Sequence, residues 1–189
     1  MKEKLLIFKE KNINLKTTIS ILLLMGLISG VLGFIYEELF YKIDLGYWVK
    51  RGSTWGPIIP IYFFGGIDIV LFTYRLKKNP FIVLMVNCIV TGLIEFGTGL
   101  FFDKVVNTRL WDYNEEIWNW GNINGYVCVR SVALFGICSL LFIYIIIPLL
   151  LKLREKIGDK KTDIIAYVGT GIMFIDIISH FLITYVFAH

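Results

Sequence analysis

Residues 18–41 read TISILLLMGLISGVLGFIYEELFY, a run long and apolar enough to cross a membrane as one helix. Four further apolar runs follow at roughly 57–74, 80–102, 127–151 and 164–188. A single spanning segment satisfies its own backbone hydrogen bonds in lipid only as a helix. The sequence therefore predicts an all-α integral membrane protein, a bundle of about five transmembrane helices that forms one domain over residues 1–189.

The composition agrees with this class. Hydrophobic residues make up 57% of the chain and charged residues 18%, whereas charged residues take about a quarter of an average soluble domain. The three cysteines, Cys88, Cys128 and Cys138, show no CxxC spacing, so we interpret them as packing residues. We expect neither a metal site nor a cofactor.

Basic residues predict the orientation, because Lys and Arg beside short loops stay cytoplasmic. Five lysines precede the first run, and the loops near 75–78 and 152–161 are also basic. The prediction places the N-terminus inside, the C-terminus outside and the loop 103–126 outside. The net charge of +4 then reflects contact with the bilayer and not a nucleic-acid partner.

The start of the chain allows two interpretations. The first run is longer than a signal-peptide core and lacks an A-x-A-like cleavage site, so we expect a retained helix. The lysine-rich segment before it is either a short interfacial helix or a solvated tail.

Ionisable residues inside the spans form the candidate pocket, since such residues usually face the interior of a bundle. They are Glu37, Asp68, Glu95, Arg130, Asp176 and His180. We expect a polar pocket that opens outward, with Arg130 paired to Glu37 or Glu95. The alternative is that these groups only hold the helices together. Glycines at 26, 30 and 33 share a helical face with Glu37 and predict close approach of another helix.

The second run contains prolines where its helix should begin. Pro57 suits a first turn, whereas Pro60 weakens the backbone further in. Two structures remain open: a broken or re-entrant segment, or a kinked but continuous helix.

The loop after the third run is rich in tryptophan, asparagine and glycine. Its candidate functional residues are Trp111, Asp112, Tyr113, Asn122 and Gly125. Tryptophans at headgroup depth explain a membrane anchor, but asparagine and glycine favour a folded loop. We interpret it as either a cap over the pocket or a simple anchor.

At this point five motifs resemble a known family. They are GFIYE at 33–37, RGSTWGPIIPIY at 51–62, LIEFGTGLFFDK at 93–104, WDY at 111–113 and NINGYVCV at 122–129. Together they resemble the ABC-transporter type IV family, the CmpB-like bacterial membrane proteins. The resemblance implies a permease in the bacterial cell membrane. The chain departs from the family pattern at Phe63, where a glycine is usual, and at Tyr126, where an arginine is common.

Three functions remain open. The chain has no G-x-x-x-x-G-K-[ST] loop, so a transporter would need a separate ATPase or another membrane subunit as partner, docked near residues 152–163. We favour a permease or solute-binding subunit for an unidentified small molecule or lipid. The alternatives are a membrane enzyme acting on a lipid or wall precursor at the outer leaflet, and a structural or accessory subunit. For the enzyme, Glu95, Asp176 and His180 would supply acid and base, and Arg130 would hold a phosphate.

Overall fold

The computed structural model describes Phe8 and residues 13–186, and these residues form helices and loops without a β-strand. The α-helices are α1 (Leu15–Leu45), α2 (Pro60–Thr73), α3 (Pro80–Phe101), α4 (Val129–Leu141), α5 (Ile147–Ile157) and α6 (Asp159–Phe181). Short π-helical turns continue α3 to Val106, join α4 to α5 and extend α6. The all-α prediction is confirmed.

Four helical segments are long and apolar enough to cross a membrane, and the protein is a multi-pass membrane protein. They are Leu15–Leu45, Pro80–Val106, Val129–Ile157 and Asp159–Thr184. The N-terminal segment, interpreted as an interfacial helix or a solvated tail, lies almost wholly outside the described residues. The end of the fifth predicted span, beyond residue 186, also lies outside them. The inside N-terminus and outside C-terminus stay predictions.

The second predicted span contains a helix shorter than any of the four membrane-length segments. Helix α2 has 14 residues and begins at Pro60, while residues 57–59 are not helical. A helix of this length rises about 21 Å, against about 30 Å for a hydrocarbon core. The helix runs without interruption from Pro60 through Gly65 and Gly66 to Thr73, so it begins at the second proline and is continuous from there.

The chain divides into two compact units. Unit 1 comprises residues up to 71 and from 144 onward, and unit 2 comprises residues 72–143. Each has its own internal packing and its own polar contacts, which are described separately below.

In unit 1 the glycine face of α1 receives α2 and the segment before it. The Ile59 N–H donates to the Gly30 carbonyl over 3.2 Å, which ties the non-helical segment to the middle of α1. A Cβ added at Gly33 would come within 2.2 Å of the Tyr62 ring. Phe63 is 2% exposed and lies against Gly26. The predicted close approach at these glycines is present.

The start of α6 packs against the start of α1 in the same unit. Asp163 is buried, accepts a hydrogen bond from the Ser20 hydroxyl over 2.7 Å and pairs with Lys16 over 3.3 Å. A buried carboxylate is stable when it has such donors. These contacts fix the register of α6 along α1.

Unit 2 is built on the contact between α3 and α4. A Cβ at Gly136 would come within 2.5 Å of the Cys88 sulfur, so the two helices approach closely there. At the other end of α3, Gly99 receives the Tyr126 side chain from the following loop. All three cysteines are free thiols, and Cys128 is buried.

Candidate functional site

The loop between α3 and α4 in unit 2, residues 107–128, is folded by hydrogen bonds between its two halves. The Trp111 indole N–H donates to the Tyr126 carbonyl over 2.9 Å, and the Tyr113 N–H donates to the Gly125 carbonyl over 3.1 Å. The Asn122 side chain accepts from the Gly125 N–H over 2.7 Å. The WDY and NINGY motifs are therefore the two sides of one structure.

Asp112 and Gly125 lie against each other inside this loop. Asp112 pairs with Arg109 over 2.9 Å and accepts a hydrogen bond from the Asn114 N–H. Gly125 has a φ of 76°, and a Cβ there would come within 2.2 Å of an Asp112 oxygen. Glycine suits this position, because its φ is left-handed and a Cβ would displace the ends of neighbouring side chains.

The tryptophans divide into two groups. Trp111 is half-buried and hydrogen-bonded within the loop, whereas Trp118 is 47% and Trp120 67% exposed. The exposed pair suits an interfacial anchor. The hydrogen bonds show that the loop is folded, and its interpretations as a cap or as an anchor both stay predictions.

Where this loop meets α3 and α4 lies a group of polar side chains that we call the Glu95 cluster: Glu95, Tyr113, Ser131, Arg130 and Glu116. Glu95 comes from α3 and is 9% exposed. Its Oε1 accepts from the Tyr113 hydroxyl over 3.0 Å and from the Ser131 hydroxyl. Its Oε2 is buried and accepts no hydrogen bond from the residues that the structure describes.

Tyr113 connects the loop to both helices, because its hydroxyl also lies 3.0 Å from the Ser131 oxygen on α4. Burial, reinforced by the nearby Glu95 carboxylate, raises the pKa of the Tyr113 phenol. The phenol therefore stays protonated and acts as a donor to Glu95.

Arg130 has a different salt-bridge partner from the two expected. Its guanidinium bonds the Glu116 carboxylate, and the two side chains are 13% and 9% exposed, respectively. The guanidinium also lies over the face of the Tyr113 ring, 5.5 Å from its centre. Glu116 belongs to the same loop, so it reaches Arg130 locally. Glu95, one of the two expected partners, accepts hydrogen bonds from two hydroxyls.

Glu37, the other expected partner, lies in unit 1 and pairs with Arg51 over 3.2 Å. The Arg51 backbone N–H donates to Glu38 over 2.8 Å, and its guanidinium stacks 3.8 Å from the centre of the Tyr41 ring. The end of α1 therefore holds the start of the loop 51–59. The expected pairing of Arg130 with Glu37 stays a prediction.

Asp176 holds the other side of the loop 51–59 in unit 1. Its two carboxylate oxygens each accept one backbone N–H, from Trp55 and Gly56, both over 2.8 Å. The Trp55 ring meets His180 edge-on with centroids 4.8 Å apart. Asp176 and His180 are thus one turn apart on α6, as predicted, and both contact this loop.

Asp68 is half-buried on α2 and makes no hydrogen bond or ion pair with the described part of the chain. Within the described residues no group of three His, Cys, Asp or Glu side chains is placed to hold a metal ion. The six predicted pocket residues therefore belong to separate sets of contacts, and the Glu95 cluster holds two of them.

Several contact residues were missed from the sequence. Arg51, Trp55 and Gly56 stand in a motif that contains the two prolines. Ser131 follows Arg130 directly, and Glu116 lies in the loop between the predicted Tyr113 and Asn122. The sequence signal for Ser131 was its position next to Arg130, and that for Glu116 was its position in the loop. Spacing alone does not distinguish a side chain that forms a hydrogen bond from one that is solvated.

Comparison with known proteins identifies the family of this chain. Residues 24–181 match the family described as "Putative ABC-transporter type IV". The chain belongs to this family. Both positions that depart from its usual pattern are buried packing residues here: Phe63 lies on Gly26, and Tyr126 lies on Gly99 and donates to Asp103 over 2.6 Å.

Two relatives carry the name "Inner membrane-spanning protein YciB". The protein of Rickettsia bellii (strain RML369-C) is 26% identical over 151 residues, which cover 75% of this chain and 68% of the relative. That of Rickettsia canadensis (strain McKiel) is 26% identical over 153 residues, covering 76% and 69%. No solved structure gives a significant match. These names agree with a multi-pass protein of the bacterial cell membrane.

Proposed function

We propose that this protein is a permease-type, solute-binding subunit of a transporter and that the solute binds at the Glu95 cluster. One observation carries the proposal: Glu95 is 9% exposed, and its Oε2 accepts no hydrogen bond from the described residues. A buried acceptor without a donor costs about 1–3 kcal/mol, and more when it is charged. Such groups concentrate at functional sites, because a bound ligand recovers the cost.

The loop 107–128 supports this proposal as the cover of the site. Its contacts with the Glu95 cluster are the Tyr113 hydroxyl and the Glu116–Arg130 salt bridge. Its own hydrogen bonds keep it folded, so it can move as a body about these contacts. The pocket that we proposed as outward-facing would open when the loop lifts.

The orientation is part of the same proposal, with the N-terminus inside and the C-terminus outside. Reporter fusions after Lys78 and after His189 test it, because the basic loops place these two positions on opposite faces. Fusions that report the same side would contradict the orientation and, with it, the outside location of the loop 107–128.

A partner would supply the energy, and we propose a separate ATPase or another membrane subunit. The turn between α5 and α6 is the candidate docking surface: Gly158 has a φ of 83°, and Arg154 pairs with Asp159 over 2.6 Å. Lys152, Lys156, Lys160 and Lys161 are exposed around it.

The alternatives differ in what supports them. An enzyme at Asp176 and His180 is disfavoured, because both Asp176 oxygens already accept backbone amides. A phosphate at Arg130 is disfavoured, because Glu116 pairs with its guanidinium. A structural role remains the rival for Asp176 and Glu37, whose contacts hold the loop 51–59.

The test is purification of the tagged protein from its own membranes, followed by mass spectrometry of the bound small molecules and proteins. We expect a solute that is bound to the wild type and to Glu115→Gln, an exposed control, but not to Glu95→Gln. The same solutes on all three proteins, or none on the wild type, would contradict the proposal. Poor yield of Glu95→Gln alone would support the structural role, and a chemically changed lipid would support the enzyme.

A further inference from the structure

We infer that the Glu95 cluster recognises a primary ammonium group, an inference that rests on the proposed function and names the chemistry of its solute. The observation that points to it is the combination of charge and hydrogen-bond donors around Glu95.

The charge around Glu95 is unbalanced. The charged groups of the cluster are the carboxylates of Glu95 and Glu116 and the guanidinium of Arg130. Arg130 bonds Glu116, whereas the donors on Glu95 are two neutral hydroxyls. With its acids ionised, the cluster has one more negative than positive charge, and a cationic ligand would balance it.

Glu95 has an acceptor oxygen still to be satisfied, and the buried Nε of Arg130, whose other two nitrogens bond Ile117 and Glu116, has no acceptor among the described residues. Oε1 of Glu95 accepts from Tyr113 and Ser131, while Oε2 is buried and accepts from none of the described residues. A ligand that completes this carboxylate must therefore donate. A primary ammonium has three N–H donors and a positive charge, and charge-assisted bonds of this kind are about twice as strong as neutral ones.

Other ligand classes fit less well. A quaternary ammonium is cationic but has no N–H to donate to Oε2. A phosphate or carboxylate would meet two carboxylates, Glu95 and Glu116, and its natural partner Arg130 is bonded to one of them. A divalent metal prefers several oxygen or nitrogen ligands, and the described residues offer no group of three acidic, His or Cys side chains.

The aromatic ring of Tyr113 adds to the preference for a cation. Its face already accepts the Arg130 guanidinium at 5.5 Å, which shows that the ring is oriented toward positive charge. Lifting the loop 107–128 would move Tyr113 and open Oε2 to a ligand. A primary ammonium could come from a free amine or from the headgroup of an aminophospholipid.

The experiment measures Tm by intrinsic fluorescence in nanodiscs made of phosphatidylcholine, with ethanolamine or choline added over a concentration series. We expect ethanolamine to raise the Tm, by roughly 5 °C or more near 100 times its Kd, and choline to have no specific effect. A second arm replaces the lipid with phosphatidylethanolamine. A rise in this arm alone identifies a lipid headgroup as the source, whereas a rise with free ethanolamine identifies a soluble amine.

Variants assign the response to Glu95. We expect Glu95→Gln to weaken the apparent affinity for ethanolamine at least tenfold and Glu115→Gln to leave it unchanged. No rise in Tm with ethanolamine in phosphatidylcholine combined with no rise on changing the lipid to phosphatidylethanolamine, equal effects of ethanolamine and choline, or a full response in Glu95→Gln would each overturn the inference. The comparison of the two amines on the wild type decides the question even if Glu95→Gln fails to fold.

The outcome is distinguishable from failure of the proposed function. A native solute that depends on Glu95 but is not displaced by ethanolamine would refute the ammonium chemistry alone. An ethanolamine response without any co-purified solute, accompanied by a changed lipid, would instead refute the transporter role.

Discussion

Replacing Asp176 by alanine should release the loop 51–59 from α6. The carboxylate accepts the Trp55 and Gly56 amides over 2.8 Å each, and it is half-buried. Hydrogen bonds to a charged group contribute about 1.5–3 kcal/mol each, and partial exposure favours the lower value. The two bonds together predict a loss of about 3 kcal/mol for Asp176→Ala, with a smaller loss for Asp176→Asn, which keeps one acceptor.

Hydrogen exchange measures this loss locally. If opening of the loop becomes easier by about 3 kcal/mol, the Trp55 and Gly56 amides should exchange about 100-fold faster, because each 1.4 kcal/mol is a factor of about ten. The Tm should fall by about 6–12 °C if the loop opens only with the whole unit. Asp68→Asn is the matched control on α2, with no bonded partner among the described residues. Unchanged exchange in the segment 51–59 of Asp176→Ala would refute the reasoning.

Three further predictions concern packing and charge. Gly125→Ala should cost about 2–4 kcal/mol in unfolding experiments, since strain at positive φ adds to a clash with the rest of the loop. Gly46→Ala shares a positive φ of 81° but has nothing within 4 Å of its Cβ, so it should cost only about 1 kcal/mol. In a double-mutant cycle on Arg130 and Glu116, each single alanine should cost about 3 kcal/mol, and the double mutant should cost less than the sum of the two. Gly33→Ala should lower the Tm and separate α1 from α2, and an unchanged Tm would contradict the 2.2 Å approach.

The helices of the fold were predictable from the sequence because apolar length sets a membrane span. The glycine positions on α1 also predicted a close contact. Residues without a side chain at intervals of three and four mark a helix face where another chain segment approaches. The shortness of α2 was only half predictable. Pro60 lacks an N–H and therefore suits a first turn, but the sequence did not decide whether the preceding residues would continue the helix.

Partners of charged side chains were the least predictable feature. Arg130 was expected to reach a carboxylate on another helix, yet its salt bridge is with Glu116, only 14 positions away in the chain. Arg51 likewise pairs with Glu37, which lies 14 positions earlier in the chain. Both contacts depend on how a loop folds back, and this is decided by turn geometry such as the positive φ at Gly125, which helical periodicity does not encode.

The loop 107–128 falls between these extremes. Its asparagines and glycines predicted a folded structure, and the hydrogen bonds of Asn122 and Trp111 give that structure. The sequence did not predict that Tyr113 would connect the loop to Glu95. A phenol and a carboxylate separated by a π-helical turn and a loop have no fixed spacing.

Native mass spectrometry of the purified protein in nanodiscs tests the central claim most directly, namely that Glu95 is the binding group of a solute site. The protein is incubated with the small-molecule fraction of its own cells, and the masses retained by wild type, Glu95→Gln and Glu115→Gln are compared at equal folded amount. The account predicts one retained small molecule on the wild type and on Glu115→Gln, lost from Glu95→Gln. Equal retention by all three proteins, or none by a folded wild type, would contradict it.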